Sequence, residues 1–228
     1  MIGELFRISD FGLRIFEMYI PPFNKITDKV RINAFIHAHG FASLVTRGEH
    51  GLWASHLPVL LDENVGEHGR LRSHMARANA QWRDLAQGGE VLCVFHGPHA
   101  YISPSWYVQQ HTVPTWNYGA VHVYGRPRLV ETDALKQIVR DTTTKYESAM
   151  PIPWTIPLSE EEMDRMCKAI VGFTIEITRV EAKFKLGQNR SPEDQAKMLQ
   201  ALRAAPDCGS RELAQFIEDQ HQGETTES

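Results

Sequence analysis

Along the chain, apolar positions recur with two different periods, and the period switches several times. Between Thr27 and His39, Val30, Ala34, Phe35 and Ile36 fall at helical intervals, with Thr27 and Asp28 as N-cap candidates and Gly40 as the stop. This predicts a helix. Short extended runs follow, FASLVTR, LWASHLPVLL and LRSHMA, separated by the turn sequences GEHG and ENVGEHG, in the manner of a β-meander. NAQWRDLAQ predicts a short helix capped by Asn79 and stopped at Gly88-Gly89, after which EVLCVF returns to strand. From Gly97 to Pro114 the breakers GPH, SPS and VP predict a long ordered loop with a short strand at AYIS.

The second half repeats the alternation on a larger scale. Thr115 to Glu131 is rich in β-branched and aromatic residues and predicts a long strand, with Gly119 and Gly125 as bend or bulge points. Thr132 to Ser148 predicts a surface helix, and Ser159 with Glu162 forms a capping box for another through Cys167. The three prolines of MPIPWTIP keep the segment between them extended. In GFTIEITRVEAKF, Phe173, Ile175 and Ile177 alternate with Thr174, Glu176 and Thr178, which predicts a strand with one buried and one wet face. Ser191-Pro192 starts a helix to about Ala205, and Ser210 starts a last one to about Gln220, before a loose tail. Many strands interrupted by irregularly placed helices predict a mainly β fold, an antiparallel sheet or barrel with peripheral helices.

Composition narrows the class. Lys and Arg total 24 against 28 Asp and Glu, a net charge of −4 over 228 residues, and basic residues are scattered. No electrostatic footprint for nucleic acid is present, so direct DNA binding is not expected. A plain helical hairpin outranks a helix-turn-helix for the two terminal helices, because Pro206 and Gly209 lie in their connection. No stretch reaches the roughly 18 apolar residues of a membrane span. Glu4, Arg7, Asp10 and Arg14 interrupt the opening segment where a signal peptide needs an apolar core, so the cytoplasm is the expected compartment. The three cysteines, Cys93, Cys167 and Cys208, are widely spaced and imply neither a disulfide framework nor a zinc knuckle.

Candidate chemistry is concentrated in a few places. The usual phosphate-loop, dinucleotide, zinc-protease and nucleophile-elbow motifs are absent. Eleven histidines invite a metal, but His96 and His99 are separated by Gly97-Pro98, which denies them helical spacing, and no metal is expected. His56, His74, His96 and His122 fall in strands, either as half-buried imidazoles bonded to backbone or as the lining of a ligand site. Tyr101, Trp106, Tyr107, Trp116 and Tyr118 crowd together with Ser103, Ser105, Thr115 and Asn117, which suits core packing or a planar heterocycle with polar edges. Arg77 and Asn79 at a strand-to-helix junction suit a phosphate or a surface ion pair. Lys185, Gln188, Asn189 and Arg190 follow the best strand and either clamp an anion or solvate a loop.

The segments MYIPPFNKITD, ASHLPVLLD, SHMARANAQW, GPHAYISPSWY, VPTWNYGAVHVYG and FKLGQNRSPED, in this order, resemble the PaiB family. That family is described as FMN-binding negative transcriptional regulators with the FMN-binding split barrel also found in pyridoxamine 5′-phosphate oxidases. The resemblance spans Met18 to Ala204 and divides the chain into an N-terminal extension (1–17), a split-barrel domain (18–190), a helical segment (191–220) and a tail (221–228). It marks Met18 as a candidate true start. Gly187 departs from the family's usual serine.

The resemblance implies FMN as cofactor and a homodimer with flavin at the interface. It places the backbone of His56, Leu57 and Pro58 along the isoalloxazine edge, Ser73 and His74 at the ribityl or phosphate, and Arg77 and Asn79 at the phosphate. Thr115, Trp116 and Asn117 are expected from a second subunit, and Lys185 and Gln188 complete the candidate cofactor set. Two functions follow, a regulator working through bound flavin or an FMN-dependent oxidoreductase assisted by a neutral imidazole, His74 or His96. A haem-binding split barrel ranks below both.

Overall fold

The computed structural model describes residues 17–49, 51–108 and 111–225, with side chains described through 222. The expected extension, all but Glu17, and the last three residues of the expected tail lie outside them. The strands are β1 (Lys25–Ile26), β2 (Phe41–Gly48), β3 (Gly51–Pro58), β4 (Leu60–Asp62), β5 (Arg70–Ala76), β6 (Val91–Ile102), β7 (Thr115–Leu129) and β8 (Ile170–Lys185). They form one antiparallel sheet in the order β3-β2-β6-β7-β8-β5-β4, with β1 added on β8. The helices are α1 (Lys29–Ala38), α2 (Trp82–Ala86), α3 (Thr132–Glu147), α4 (Glu160–Cys167), α5 (Pro192–Ala204) and α6 (Cys208–Thr225). This is the mainly β architecture with peripheral helices that the alternation predicts.

Local chemistry sets the element ends. Asp28 caps α1 by accepting from the Val30 N–H at 2.8 Å, and the Ser159–Glu162 capping box of α4 is formed in both directions. In β8, Phe173, Ile175 and Ile177 are buried while Glu176 and Thr178 are exposed, so the alternation does separate a core face from a wet one. Phe95, Val121, Val123, Phe173 and Phe184 fill the barrel with Leu44 and Leu71. Met198 and Leu202 of α5 and Leu213, Phe216 and Ile217 of α6 join the same core, so the terminal helices are packed against the barrel as a hairpin. A smaller cluster of Leu135, Met163 and Cys167 lies beneath α3 and α4.

Four boundaries differ from the sequence expectation. The predicted loop from Gly97 does not begin there: β6 continues to Ile102, with a shift of register between His96 and His99. GPH is thus a bulge, where Gly and Pro are tolerated because the ladder is already interrupted. LWASHLPVLL divides into β3 and β4 at Val59, whose N–H donates to the Gly40 carbonyl instead of continuing the β2 ladder. Helix α2 starts after Asn79, whose side chain accepts from the Gln81 N–H in the preceding turn. Helix α6 starts at Cys208 and extends beyond Gln220, with Asp207 accepting from the Ser210 N–H. Among the described residues, no helix is long and apolar enough to cross a membrane.

The predicted bulge at Gly125 is present as a register shift between β7 and β8. A Cβ there would lie 2.4 Å from the Glu176 carbonyl oxygen and 2.6 Å from Ile175 Cγ2, so two backbones approach where only glycine fits. Gly125→Ala should therefore destabilise the protein by about 1–3 kcal/mol, the usual cost of overpacking. Urea unfolding against wild type checks this, and an unchanged midpoint would contradict it.

Candidate functional site

The sheet leaves one side of the barrel unzipped. Strand β3 is hydrogen-bonded to β2 alone, and its other edge faces β5 across an opening that no backbone ladder closes. Side chains span the opening instead. The Ser73 hydroxyl on β5 donates to the Pro58 carbonyl at 2.6 Å, and Asn79 Nδ2 donates to Ser55 Oγ at 2.8 Å. Gln81, fully buried, donates through Nε2 to the carbonyls of Leu44 and Trp53 and to Thr46 Oγ1, all at 3.1–3.2 Å. Its Oε1 is buried without a protein partner. His56 stands exposed on β3, with Nδ1 2.9 Å from Ser43 Oγ and its ring 6.4 Å from that of Phe41.

Of the residues the resemblance implies, His56, Leu57, Pro58, Ser73 and Asn79 lie along the split. Arg77 lies at its end, but Nε and Nη2 donate to the carbonyls of Lys168 and Ile170 at 2.8 and 3.0 Å. It fastens the start of β8, pairs with no carboxylate among the described residues, and keeps N–H groups beyond these two bonds. Ser73 and His74 point to opposite faces, because successive strand residues must. His74 shares its face with Arg72, which pairs with Asp141 of α3 at 2.6 Å, so its ring is on the helix-covered side. There Nδ1 is buried without a protein partner, and burial lowers the imidazole pKa below its ordinary 6.5.

The remaining expected residues assemble at the opposite end of β8. Lys185 Nζ donates to Thr115 Oγ1, and Tyr118 stands opposite Lys185 in the β7–β8 ladder. Trp116 is 53% exposed, 6.2 Å from the Tyr101 ring and 6.1 Å from that of His99. Asn117 is buried, with Nδ2 directed at Met198 Sδ, and Gln188 turns back to accept from the Leu186 N–H. The Arg77 N–H joins Ala169 beside the first residue of β8, and Lys185 is its last. At about 3.3 Å per residue, roughly 50 Å of strand separates them, so one phosphate cannot engage both within one chain.

Sequence reasoning missed three features here. Ser55 and Gln81 carry no motif, and only their partners show that they tie the split. The bulge in β6 turns His96 and His99 to the same side, with rings 4.6 Å apart, although their spacing spoke against convergence. Burial first, and then His99, lowers the His96 pKa. Among the described residues, no group of three or more His, Cys, Asp or Glu is arranged to hold a metal.

An eight-stranded antiparallel barrel opened along one seam, with polar side chains crossing it, is the split barrel of flavin-binding proteins. The comparisons agree with that class. Residues 18–179 match the family described as "Putative FMN-binding domain". The chain is 36% identical over 204 residues to protease synthase and sporulation protein PAI 2 of Bacillus subtilis, covering 89% of this chain and 97% of that one. It therefore belongs to the PaiB family, with FMN as cofactor. In fold it is similar to an FAD- and haem-binding protein of Mycobacterium smegmatis, with a TM-score of 0.57 at 15% identity over 76% of this chain and 79% of that one. It is also similar to the flavocytochrome Anf3 of Azotobacter vinelandii, with a TM-score of 0.54 at 15% identity over 76% and 75%.

The residues in the split fit FMN. The free edge of β3 presents backbone donors and acceptors of the kind an isoalloxazine edge pairs with, and Arg77 and Asn79 are donors suited to a phosphate.

The half-buried imidazole of His74 makes a prediction about acid. With its folded pKa below 6.5, His74 binds a proton more readily when unfolded, so it favours the native state above that value. That contribution is lost as pH falls from 6.5 towards the lower folded pKa. The fall in thermal midpoint between pH 7.5 and 5.5 should be smaller in His74→Gln than in wild type, and an equal fall would contradict the assignment.

Proposed function

We propose that the chain is a cytoplasmic, homodimeric flavoprotein that holds FMN in the split between β3 and β5, and that it regulates through the bound flavin and not by contacting DNA. The observation that carries the reading is the unpaired edge of β3 held open beside the Ser55–Asn79 bridge. His56, Leu57 and Pro58 line the ring edge through their backbone. Arg77 and Asn79 take the phosphate, and Ser73 braces Pro58. Bound FMN supplies hydride or one-electron exchange, which side chains alone do not.

A second copy completes the site. Trp116 of β7 and Tyr101 of β6, with rings 6.2 Å apart, expose half or nearly half of their surface side by side, and a contiguous exposed aromatic patch marks an interaction surface. They serve best as one wall of a flavin held by the split of the other copy. Regulation without DNA contact is supported by the terminal helices, whose apolar residues are buried in the barrel core. Arg211 of α6 is also occupied, donating to the carbonyls of Ala205 and Pro206.

An oxidoreductase reading is favoured by one observation, the exposed His96–His99 pair beside Trp116. Partial burial, and then the neighbouring His99, lower the His96 pKa, which suits an imidazole to passing a proton near neutral pH, and of the two candidates His96, not the helix-covered His74, is open to a reactant. The test is anaerobic mixing of FMN-loaded protein with NADH and NADPH. Bleaching of the blue flavin band faster than for free FMN, slowed in His96→Gln, supports catalysis. Rates equal to free FMN leave the flavin as a sensing ligand.

Sharing of the site between copies has its own test. Asn79→Ala and Trp116→Ala should each weaken FMN binding, the former by roughly three- to tenfold for one lost hydrogen bond. Unfolding and refolding the two variants together should restore wild-type affinity at roughly a quarter of sites, since half of the dimers are mixed and each holds one intact site. If mixing restores none, each site is built from a single chain.

A further inference from the structure

A second group of residues is left without an assigned role, at the end of β8 away from the split. Lys183 and Lys185 project from the same face of the strand, and Lys25 of β1 stands directly opposite Lys183. Arg190 follows a short turn later, its guanidinium 4.6 Å from the Tyr107 ring centroid and its Nη2 donating to Thr112 Oγ1 at 3.1 Å. Lys183 is only 7% exposed, lies 5.4 Å from the centroids of both Tyr19 and Tyr118, and donates to the Tyr19 carbonyl.

Among the described residues, none of these four cations forms an ion pair with a carboxylate. The neighbouring carboxylates are engaged elsewhere: Asp194 accepts from the Val108 N–H, and Glu181 pairs with Arg179 and accepts from the Met18 N–H. Like charges placed opposite each other destabilise a sheet, and a buried ammonium without a carboxylate is costlier still. The field of the group is felt at Lys185, whose pKa is lowered by burial first and then by Lys183 and Arg190, against an opposing effect of Tyr118. In a chain of net charge −4, such a group is a local exception.

We propose that Lys185 and Arg190, backed by Lys183 and by the Thr112 and Thr115 hydroxyls, form an oxoanion site for the phosphate groups of a phosphorylated small molecule. It is separate from the flavin phosphate seat at Arg77 and Asn79. Donor counts agree. Lys185 uses one of three N–H groups on Thr115, and Arg190 keeps three of its five after bonding Thr112 and the Tyr107 hydroxyl, so a tetrahedral oxoanion still finds donors on both side chains. The site rests on the flavin reading only in that its ligand would be the second reactant. Anion binding itself does not depend on it.

Calorimetric titration of the FMN-loaded full chain with inorganic pyrophosphate, and separately with NADPH, tests the assignment, with bound FMN and oligomeric state measured on the same samples. One equivalent per chain should bind, more weakly as salt rises, and Lys185→Gln combined with Arg190→Gln should lose at least tenfold in affinity while retaining FMN. Tighter binding of NADPH than of pyrophosphate supports a nucleotide as the ligand, and equal binding supports a free oxoanion in the same site. The proposal is overturned if wild type binds neither probe or if the double variant binds both unchanged. Loss of FMN in step with the double substitution would make these residues the flavin phosphate seat, and dissociation to monomers would mean that carboxylates of a second copy neutralise them. Tight retention of duplex DNA through the same residues would replace the small molecule with a polyanion. If FMN fails to load at all, pyrophosphate binding to the flavin-free chain still decides the anion site.

Discussion

Strand β8 is the constraint on which the architecture rests. It pairs with β7 over nearly its whole length, with β5 along its first part and with β1 near its end. A strand with partners on both edges must keep a fixed register, because a slip of one residue would turn Phe173, Ile175 and Ile177 out of the core and Glu176 into it. The alternation in GFTIEITRVEAKF therefore fixes the position of β5 and β7 together. Once they are fixed, β2 and β6 follow on one side and β4 on the other, and β3 is left as the outermost strand.

The opening beside β3 is a consequence of that order. An edge strand of eight residues with free N–H and C=O groups is usually a liability, and proteins blunt such edges by twist, charge or cover. Here the cover is sparse and polar: Ser73, Asn79 and Gln81 hold β3 at three carbonyl or hydroxyl groups without zipping it to β5. Three side-chain bonds fix the width of the gap while leaving much of the edge to a ligand. The same geometry explains why Ser73, buried, acts by positioning the Pro58 carbonyl of β3.

Much of this was legible in the sequence, and the remainder was hidden for identifiable reasons. Strands β7 and β8, the capping box of α4 and the Gly125 bulge are written in local periodicity and cap chemistry, which one chain displays without its partners. The continuation of β6 through Gly97-Pro98 was not, because a bulge uses the residues that otherwise signal a loop. Nor could the sequence divide the candidate set into one group at the split and another at the end of β8, since that division depends on which strands become neighbours. His74 fell on the covered face only once α3 was seen to pack there. Gly187, read as a lost hydroxyl, adopts φ +89°, a conformation in which a serine would be strained.

The central claim is that FMN occupies the seam between β3 and β5. Hydrogen–deuterium exchange of the full chain with and without FMN tests it most directly, because an unpaired edge strand exchanges quickly until something pairs with it. The claim predicts that FMN slows exchange in residues 51–58 and at the turn through Asn79, more than in the centres of β7 and β8. Protection confined to other segments, with β3 exchanging as fast as in the flavin-free chain, would contradict it.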